Sequence, residues 1–261
     1  MVFLFSNILS ARIAAATLFV IAANFSLCRP ALAQGWVEPT IVLNTSPGGF
    51  APYTYMDSNH ASHGILYDVA HRILKKLGYR VMTSEVPRKR VELQLMSGEL
   101  DATPRAIEWS EHARDFVFTD PIIRVRSALA IRVDSGYTTV KELHGHRIGT
   151  RLGYVYTVLT REFASGQLIR SDATSDLSML KMLQAKRVEA ALVDESAARW
   201  LFQREGIKDV RFLLESVDNG VELRLMFAPQ RRALVKDFNH ELSTLKRSGE
   251  LAHIIARYTD P

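Results

Sequence analysis

Short apolar runs alternate with longer amphipathic segments along most of the chain. "TIVLNTS" (residues 40–46) is such a run and predicts a buried strand, and "GILYDVAHRILKKLG" predicts a helix that stops at Gly78. The apolar residues of this helix share one face: Leu66, Val69, Ala70, Ile73 and Leu77. Because strands and helices continue to alternate, the pattern favours an α/β fold whose parallel sheets are covered on both faces.

The alternation passes through two cycles. The first continues with predicted strands at "YRVMTSEV", "LDATP" and "RSALAIRV" and a short helix at "RKRVELQLMSGE". The second contains a strand and glycine turn in "HRIGTRLGY", the helix "SDLSMLKMLQAKR", the strand "VEAALVDES" and the helix "ESAARWLFQREG". The strand "VELRLMFAP" and two further helices close the chain. Two cycles predict two α/β lobes, with ligand-binding loops after Ser46, Pro104, Thr150 and Val193, where strands end.

The first 33 residues have the layout of a secretory signal peptide, with an apolar run and then "CRPALA", so we predict cleavage after Ala33. Their removal takes away Arg12, Arg29 and Cys28 and lowers the net charge from +5 to +3. Cys28 is the only cysteine, so disulfide and thiol chemistry are excluded from the mature chain. We expect a soluble, periplasmic monomer, and so small a charge does not favour a nucleic-acid partner.

Six motifs in order resemble those of the bacterial periplasmic solute-binding proteins of the amino-acid-binding type, family 3. They are "FAPYTY", "LQLMSGELDA", "EHARDFVFTDP", "ELHGHRIGTRLGYVY", "MLQAKRVEAALVDESAA" and "ELSTLKRSGELAHIIARY". The resemblance covers about residues 40 to 258 and implies a protein without catalysis or a cofactor. Such a protein binds a small solute and delivers it to the membrane permease of an ABC transporter.

The same resemblance implies the two-lobed type II fold of this family, similar to a Venus flytrap, with parallel or mixed sheets flanked by helices. The chain is expected to cross between lobes twice, near 122–127 and near 221–225. Residues 34–124 and 224–261 would form lobe 1, and residues 125–223 would form lobe 2.

Several residue roles follow from the resemblance. Phe50 matches the aromatic residue that covers the ligand, and Asp194 matches the acid that takes the ligand's amino group. Arg151 and the "GYVY" turn match the lobe-2 loop whose backbone N–H groups meet an anionic group. Tyr154 and Tyr156 in that turn are candidate stacking platforms, although ordinary packing on a helix face fits them equally.

His112 stands where this family carries its carboxylate-binding arginine. An arginine offers a fixed, permanently charged fork, whereas a histidine offers a charged donor only when it is protonated. Two alternatives remain open at this point. Either Arg88, Arg105 or Arg151 supplies the clamp, or the ligand is not an ordinary α-amino acid.

Other functions have weaker support in the sequence. "NHASHG" and "HGH" place histidines close together in polar loops, but a metal site needs three or four converging ligands, so none is predicted. A periplasmic enzyme similar to the cyclohexadienyl dehydratases would need a general acid in the cleft, for which Glu195 is the candidate. A stand-alone sensor lobe would act through further domains, whereas this chain ends at Pro261.

Overall fold

A computed structural model of the protein describes residues 38–215 and 217–259. The predicted signal peptide, with its cleavage site after Ala33, lies outside the described residues. Within the described part of the chain, no helix is both long enough and apolar enough to cross a membrane.

The described residues form thirteen strands and seven α-helices, joined by loops and short 3-10 turns. The strands are β1 (Thr40–Thr45), β2 (Tyr55–Met56), β3 (Ser62–His63), β4 (Arg80–Glu85), β5 (Ala102–Arg105), β6 (Val117–Phe118), β7 (Ile123–Val125), β8 (Ser127–Arg132), β9 (Arg147–Arg151), β10 (Ile169–Ala173), β11 (Ala190–Asp194), β12 (Val210–Phe212) and β13 (Val221–Phe227). The helices are α1 (Ile65–Lys76), α2 (Arg88–Ser97), α3 (Thr160–Ala164), α4 (Asp176–Gln184), α5 (Glu195–Arg204), α6 (Arg232–Arg247) and α7 (Glu250–Thr259).

Two main sheets organise these elements. The first has the order β4-β1-β5-β13-β6, with β7 also paired to β13, and the second has the order β10-β9-β11-β8-β12. We call the elements around the first sheet lobe 1 and those around the second sheet lobe 2. In each lobe the first strands pair in parallel, as predicted, but β13 and β8 run antiparallel to their neighbours. The sheets are therefore mixed. These two strands adjoin the connections between the lobes, so they enter their sheets from the opposite direction.

The two connections between lobes lie side by side. Strand β7 pairs antiparallel with the start of β13, placing Val125 opposite Val221 and Ile123 opposite Leu223. The next strand after β7, which starts at Ser127, already belongs to the second sheet. The two predicted crossings are therefore confirmed, while the exact lobe boundaries, 34–124 and 224–261 against 125–223, stay a prediction.

The helices bury the faces that their apolar periodicity predicts. On α1 the fully buried residues include Val69, Ala70 and Ile73, and the helix is followed by Gly78 with φ +82°, a conformation that glycine adopts at little cost. On α4 the structure buries Leu180 and Leu183. These contacts hold each helix against its sheet, so that the strand ends face the cleft between the lobes.

Candidate functional site

Two neighbouring cavities lie in the cleft between the lobes. The first includes Asp176 and Asp194 of lobe 2, so we call it the acidic cavity. The second includes Arg88 and Arg105 of lobe 1, so we call it the arginine cavity. They share Phe50, Trp109, Tyr154 and Val155.

Arg88 and Arg105 lie together on lobe 1. Arg88 opens α2 and Arg105 ends β5, and their side chains are 15% and 6% exposed, so that Arg105 is buried and Arg88 is largely buried. Both donate from Nη2 to Oε1 of Glu92, at 3.4 and 3.2 Å, and both also donate to the backbone carbonyl of Trp109. The Nε atom of each arginine is shielded from solvent and has no hydrogen-bond partner among the described residues. Each arginine therefore keeps its buried Nε–H donor uncommitted.

The ion pairs of this cluster do not balance within it. Two guanidinium groups share the Glu92 carboxylate, so Arg88, Arg105 and Glu92 by themselves carry a net positive charge. Burial lowers the pKa of the Arg88 guanidinium, a shift that attraction to Glu92 and, more weakly, to Glu111 opposes. A buried charge is costly unless it is paired and hydrogen-bonded. The cluster therefore favours the arrival of one further anion.

The hydrogen bonds of Arg151 differ from those of Arg88 and Arg105. It ends β9, is 3% exposed, and donates from Nη1 to Oδ2 of Asp176 at 2.8 Å. Its Nη2 crosses to lobe 1 and donates to the carbonyl oxygens of Pro47 and Gly49, at 2.9 and 2.7 Å. Its guanidinium also lies 5.0 Å from the ring centre of Tyr154. Arg151 thus joins the lobes to each other.

The glycines of the "SPGGF" loop make this contact possible. Gly48 and Gly49 both have φ +74°, which turns the loop so that its carbonyl groups meet Arg151. A Cβ atom added at Gly48 would lie 3.0 Å from Cβ of Ser175 on the opposite lobe. The loop is therefore shaped for close approach of the lobes.

Asp194 makes a second contact between the lobes. It ends β11 and caps α5, with Oδ1 accepting from the Ala197 backbone N–H at 2.8 Å and from the Tyr53 hydroxyl of lobe 1 at 2.7 Å. Burial raises the pKa of the Asp194 carboxyl to about 7, although these two hydrogen bonds oppose the shift. At neutral pH a proton and a cation therefore compete for this group.

The aromatic candidates surround the cavities. Phe50 is 8% exposed and its ring centre is 4.7 Å from that of Tyr53. Tyr154 lines both cavities, and its hydroxyl lies 3.3 Å from Oγ of Ser46 on lobe 1. Tyr156 lines the acidic cavity and accepts from the Arg151 backbone N–H at 2.8 Å. The structure thus brings the three predicted aromatic residues to the cleft.

The structure places His112 apart from these residues. His112 is exposed in the turn before the 3-10 segment Ala113–Asp115, and it lines neither cavity. Of the predicted site residues, Phe50, Arg88, Arg105, Tyr154, Tyr156 and Asp194 line the cavities and Arg151 lies at their edge between the lobes. Their contact with a solute remains a prediction.

Three cleft residues escaped the sequence-based prediction. Trp109 lines both cavities, Asp176 pairs with Arg151, and Tyr53 reaches across to Asp194. Asp176 directly follows Ser175, the residue that caps α4, where an acid is commonly found for helix stability alone. Tyr53 lies in "FAPYTY", a motif in which Phe50 alone was predicted to be a site residue.

Glu195 was the candidate general acid, but its carboxylate forms ion pairs with two arginines. Its carboxylate accepts from Arg126 and, at 2.7 Å, from Arg199. Burial alone would raise the pKa of Glu195, but the bonds from Arg199 and Arg126 outweigh it and lower the pKa. Glu195 is therefore ionised and has no proton to donate at neutral pH. In the described part of the chain, no three histidine, cysteine, aspartate or glutamate side chains are grouped to hold a metal ion.

Comparisons with known proteins agree with this architecture. Residues 42–261 match the family model of the bacterial extracellular solute-binding proteins, family 3. The arginine-binding extracellular protein ArtP of Bacillus subtilis (strain 168) is 20% identical over 219 residues, covering 81% of this chain and 82% of that protein.

Solved structures show the same fold. The substrate-binding protein of an amino acid ABC transporter has a TM-score of 0.73 at 20% identity, over 85% of this chain and 100% of that one. The ancestral amino-acid-binding protein AncCDT-1, a precursor of cyclohexadienyl dehydratase, has a TM-score of 0.72 at 16% identity, over 85% and 96%. The fold is that of the type II periplasmic binding proteins. The chain belongs to the bacterial extracellular solute-binding proteins, family 3.

Proposed function

We propose that this protein captures a small anionic or zwitterionic solute, such as an amino acid or a derivative, between its lobes and passes it to the permease of an ABC importer. The observation that carries this proposal is the pair of Arg88 and Arg105, which line a cavity of the cleft and whose buried Nε atoms have no hydrogen-bond partner among the described residues. An unpaired donor on a guanidinium that is shielded from water is expensive, and a carboxylate forms strong, charge-assisted hydrogen bonds with a guanidinium.

Closure of the lobes is the second part of the proposal. The chain crosses between lobes on two adjacent strands, which suits a hinge. Arg151 and Tyr53 make hydrogen bonds from one lobe to the other, so they stabilise a closed form. A solute that contacts both lobes binds the closed form more tightly than the open form and shifts the population towards it.

The relatives support the size and class of the solute. ArtP is named as arginine-binding, and a structural neighbour belongs to an amino acid ABC transporter. We propose that the protein acts in the periplasm as a monomer after cleavage behind Ala33. Mass spectrometry of the exported protein should then show a mature chain that begins at Gln34, and an uncut or lipidated chain would contradict the export part of the proposal.

A thermal-shift screen of the purified mature protein against amino acids, opines, organic acids and sugars tests the binding function. A bound solute stabilises the folded state by RT ln(1 + [L]/Kd), which is about 2.7 kcal/mol at a hundredfold excess over Kd. At least one solute with a negative group should raise the melting temperature, and calorimetry then gives its affinity. The absence of any hit across all four classes would contradict solute capture.

One observation favours an enzyme on the same scaffold as a second candidate. The Asp194 carboxyl lies in the cleft with a pKa raised to about 7 by burial, which suits a general acid. This candidate predicts that the protein converts a cyclohexadienyl acid to an aromatic product. Ultraviolet absorbance measures that product, and the Asp194→Asn variant should lose turnover. Glu195 is not the acid in this scheme, because Arg126 and Arg199 hold it ionised.

A further inference from the structure

The arginine cavity contains no counter-charge for an ammonium group. Of the described residues that line it, none is acidic, and its polar lining apart from the arginines and Tyr154 consists of Asn44, Ser46, Thr54 and Thr103. These side chains offer hydroxyl and amide groups, which bind neutral polar atoms as well as charged ones. The nearby carboxylate of Glu92 already accepts from Arg88, Arg105 and Ser110 through Oε1.

Each acid of the neighbouring cavity already accepts hydrogen bonds within the protein through one carboxylate oxygen. Asp176 accepts from Arg151 through Oδ2 at 2.8 Å, and Asp194 accepts from the Tyr53 hydroxyl and the Ala197 backbone N–H through Oδ1. In an α-amino acid the ammonium group is attached to the carbon that carries the carboxylate. If the carboxylate meets the arginine pair, the ammonium group therefore enters the arginine cavity, where the lining provides no anion.

The charge balance points in the same direction. The cluster of Arg88, Arg105 and Glu92 carries one net positive charge, since two guanidinium groups face one carboxylate. A monocarboxylate without an ammonium group cancels that charge, whereas a zwitterion brings no net charge to it. Uncompensated charge is costly in a buried site, so the monocarboxylate fits better.

The two cavities also indicate the shape of the remaining solute. They share Phe50, Trp109 and Tyr154, and the acidic cavity continues along Leu192 and Val193. A solute held at the arginine pair that extends into this space passes aromatic rings and then aliphatic side chains. An apolar or aromatic body suits these surroundings.

We infer that the solute is a carboxylic acid with a neutral hydroxyl or oxo group at C2 and an apolar body, and that its carboxylate binds between Nε of Arg88 and Nε of Arg105. The inference rests on the proposed function and narrows its solute class. The C2 oxygen meets Thr103, whose Oγ1 accepts from Asn44 at 3.0 Å and whose own hydroxyl hydrogen is left to donate.

Calorimetry on the wild-type mature protein decides the solute class. Three carbon skeletons, those of alanine, leucine and phenylalanine, are each offered as the α-amino acid, the 2-hydroxy acid, the 2-oxo acid and the amine without a carboxylate. In at least one skeleton the hydroxy or oxo acid should bind at least about tenfold more tightly than the amino acid, a difference of about 1.4 kcal/mol, and the amines should not bind.

The outcomes separate the inference from the proposed function. Failure of every hydroxy and oxo acid to bind, or tighter binding of the amino acid in every skeleton, overturns the inference. Solute capture itself falls only if the wider screen of amino acids, opines, organic acids and sugars also gives no ligand.

Variants of the arginine pair locate the carboxylate. Arg105→Gln and Arg88→Gln should each weaken binding of the preferred hydroxy or oxo acid by at least about tenfold, because each removes a charged donor. Arg90→Gln is the matched control, since Arg90 is exposed on the same helix as Arg88, and it should change the affinity by less than about twofold.

Arg105 also supports the Trp109 carbonyl, so a folded second variant is needed. Arg105→Lys keeps the positive charge but lacks the planar fork, and it should also weaken binding by about tenfold while its thermal unfolding stays cooperative. Wild-type affinity in both Arg105→Lys and Arg88→Gln would overturn the assignment of the anion site.

Discussion

Arg151 of lobe 2 and Arg105 of lobe 1 are alike in position but differ in what their donors meet. Each is a buried arginine at the end of a sheet strand beside the cleft, with 3% and 5% of its surface exposed. Arg151 bonds to Asp176 and to carbonyl groups of the opposite lobe, whereas Arg105 bonds within its own lobe and leaves Nε unpaired. Residue type and strand position are the same for both arginines, so only their hydrogen bonds distinguish the residue that joins the lobes from the residue that we propose binds a solute.

The largest effect should come from Arg151→Ala. This variant removes the hydrogen bonds to Pro47 and Gly49 and leaves Asp176 without its cation, a change that typically costs about 2 to 5 kcal/mol. Because closure is linked to binding, affinity should fall at least about twentyfold for every solute, whatever its charge. Calorimetry gives the affinity, and small-angle scattering of the liganded protein should show a larger radius of gyration.

Arg132→Ala is the matched control for this prediction. Arg132 is a largely buried arginine that donates to the carboxylates of Glu189 and Asp134 and to the carbonyls of Leu183 and Val188, but all of these lie in lobe 2. It should lower the melting temperature without changing the affinity. Equal losses of affinity in both variants would mean that Arg151 acts through the stability of lobe 2 and not through closure.

The second effect concerns stability and pH at Asp194. Its folded-state pKa of about 7 lies above the ordinary value of 3.8, so between these pH values the folded protein holds a proton that the unfolded chain releases. Stability contributed by this carboxyl is thus complete below about pH 4 and is lost as the pH rises to about 7. Asp194→Asn removes this loss.

Chemical denaturation at intervals from pH 4 to pH 8 measures the difference between Asp194→Asn and wild type. The free energy of unfolding of the variant should rise relative to wild type up to about pH 7, by up to about 4 kcal/mol, and then level off. A difference that does not change with pH would show that Asp194 titrates normally in the folded protein.

A third, smaller effect is expected from Tyr53→Phe. The variant removes a hydroxyl that donates across the cleft to Asp194 at 2.7 Å, which is worth about 1 kcal/mol, so affinity should fall about fivefold. Tyr258→Phe is the control, because that hydroxyl donates to Asp68 at 2.8 Å within lobe 1. The interpretation fails if calorimetry gives the same affinity for Tyr53→Phe as for Tyr258→Phe.

The smallest effect is expected from His112→Ala. His112 is exposed and lines neither cavity, so the affinity should change by less than about twofold. Titration calorimetry of the variant and of the wild-type protein with the same solute checks this. A loss of tenfold or more in the variant would restore histidine as the carboxylate clamp.

The sequence predicted the fold more fully than the site. Strands with continuous apolar runs, such as β1 and β11, and helices with one apolar face, such as α1, were found because burial leaves a periodic signal. Strands of two or three residues, such as β3 and β12, leave no such signal and were missed. The alternation of strands and helices favoured parallel sheets and the family resemblance allowed mixed ones, but neither predicted that β8 and β13 run antiparallel. A strand's direction in its sheet depends on where the chain returns, which no local pattern records.

For the site, the sequence predicted which residues stand at strand ends, but it did not predict the residues to which they form hydrogen bonds. Asp194 was found because a lone acid follows an apolar strand, yet Tyr53, its partner, is 141 residues away. Arg151 meets Pro47 over 104 residues, and no local pattern predicts that contact. The motif resemblance marks His112 as an unusual residue. Only the fold shows that His112 is exposed and that Arg88 and Arg105 lie in the cleft.

A crystal structure of the complex with the tightest-binding hydroxy or oxo acid tests the central claim most directly. The account predicts that the carboxylate oxygens lie within about 3.2 Å of Nε of both Arg88 and Arg105, while Arg151 keeps its bonds to Pro47 and Gly49. A carboxylate bound to Arg151 or to His112, with the Nε atoms of Arg88 and Arg105 still unpaired, would contradict it.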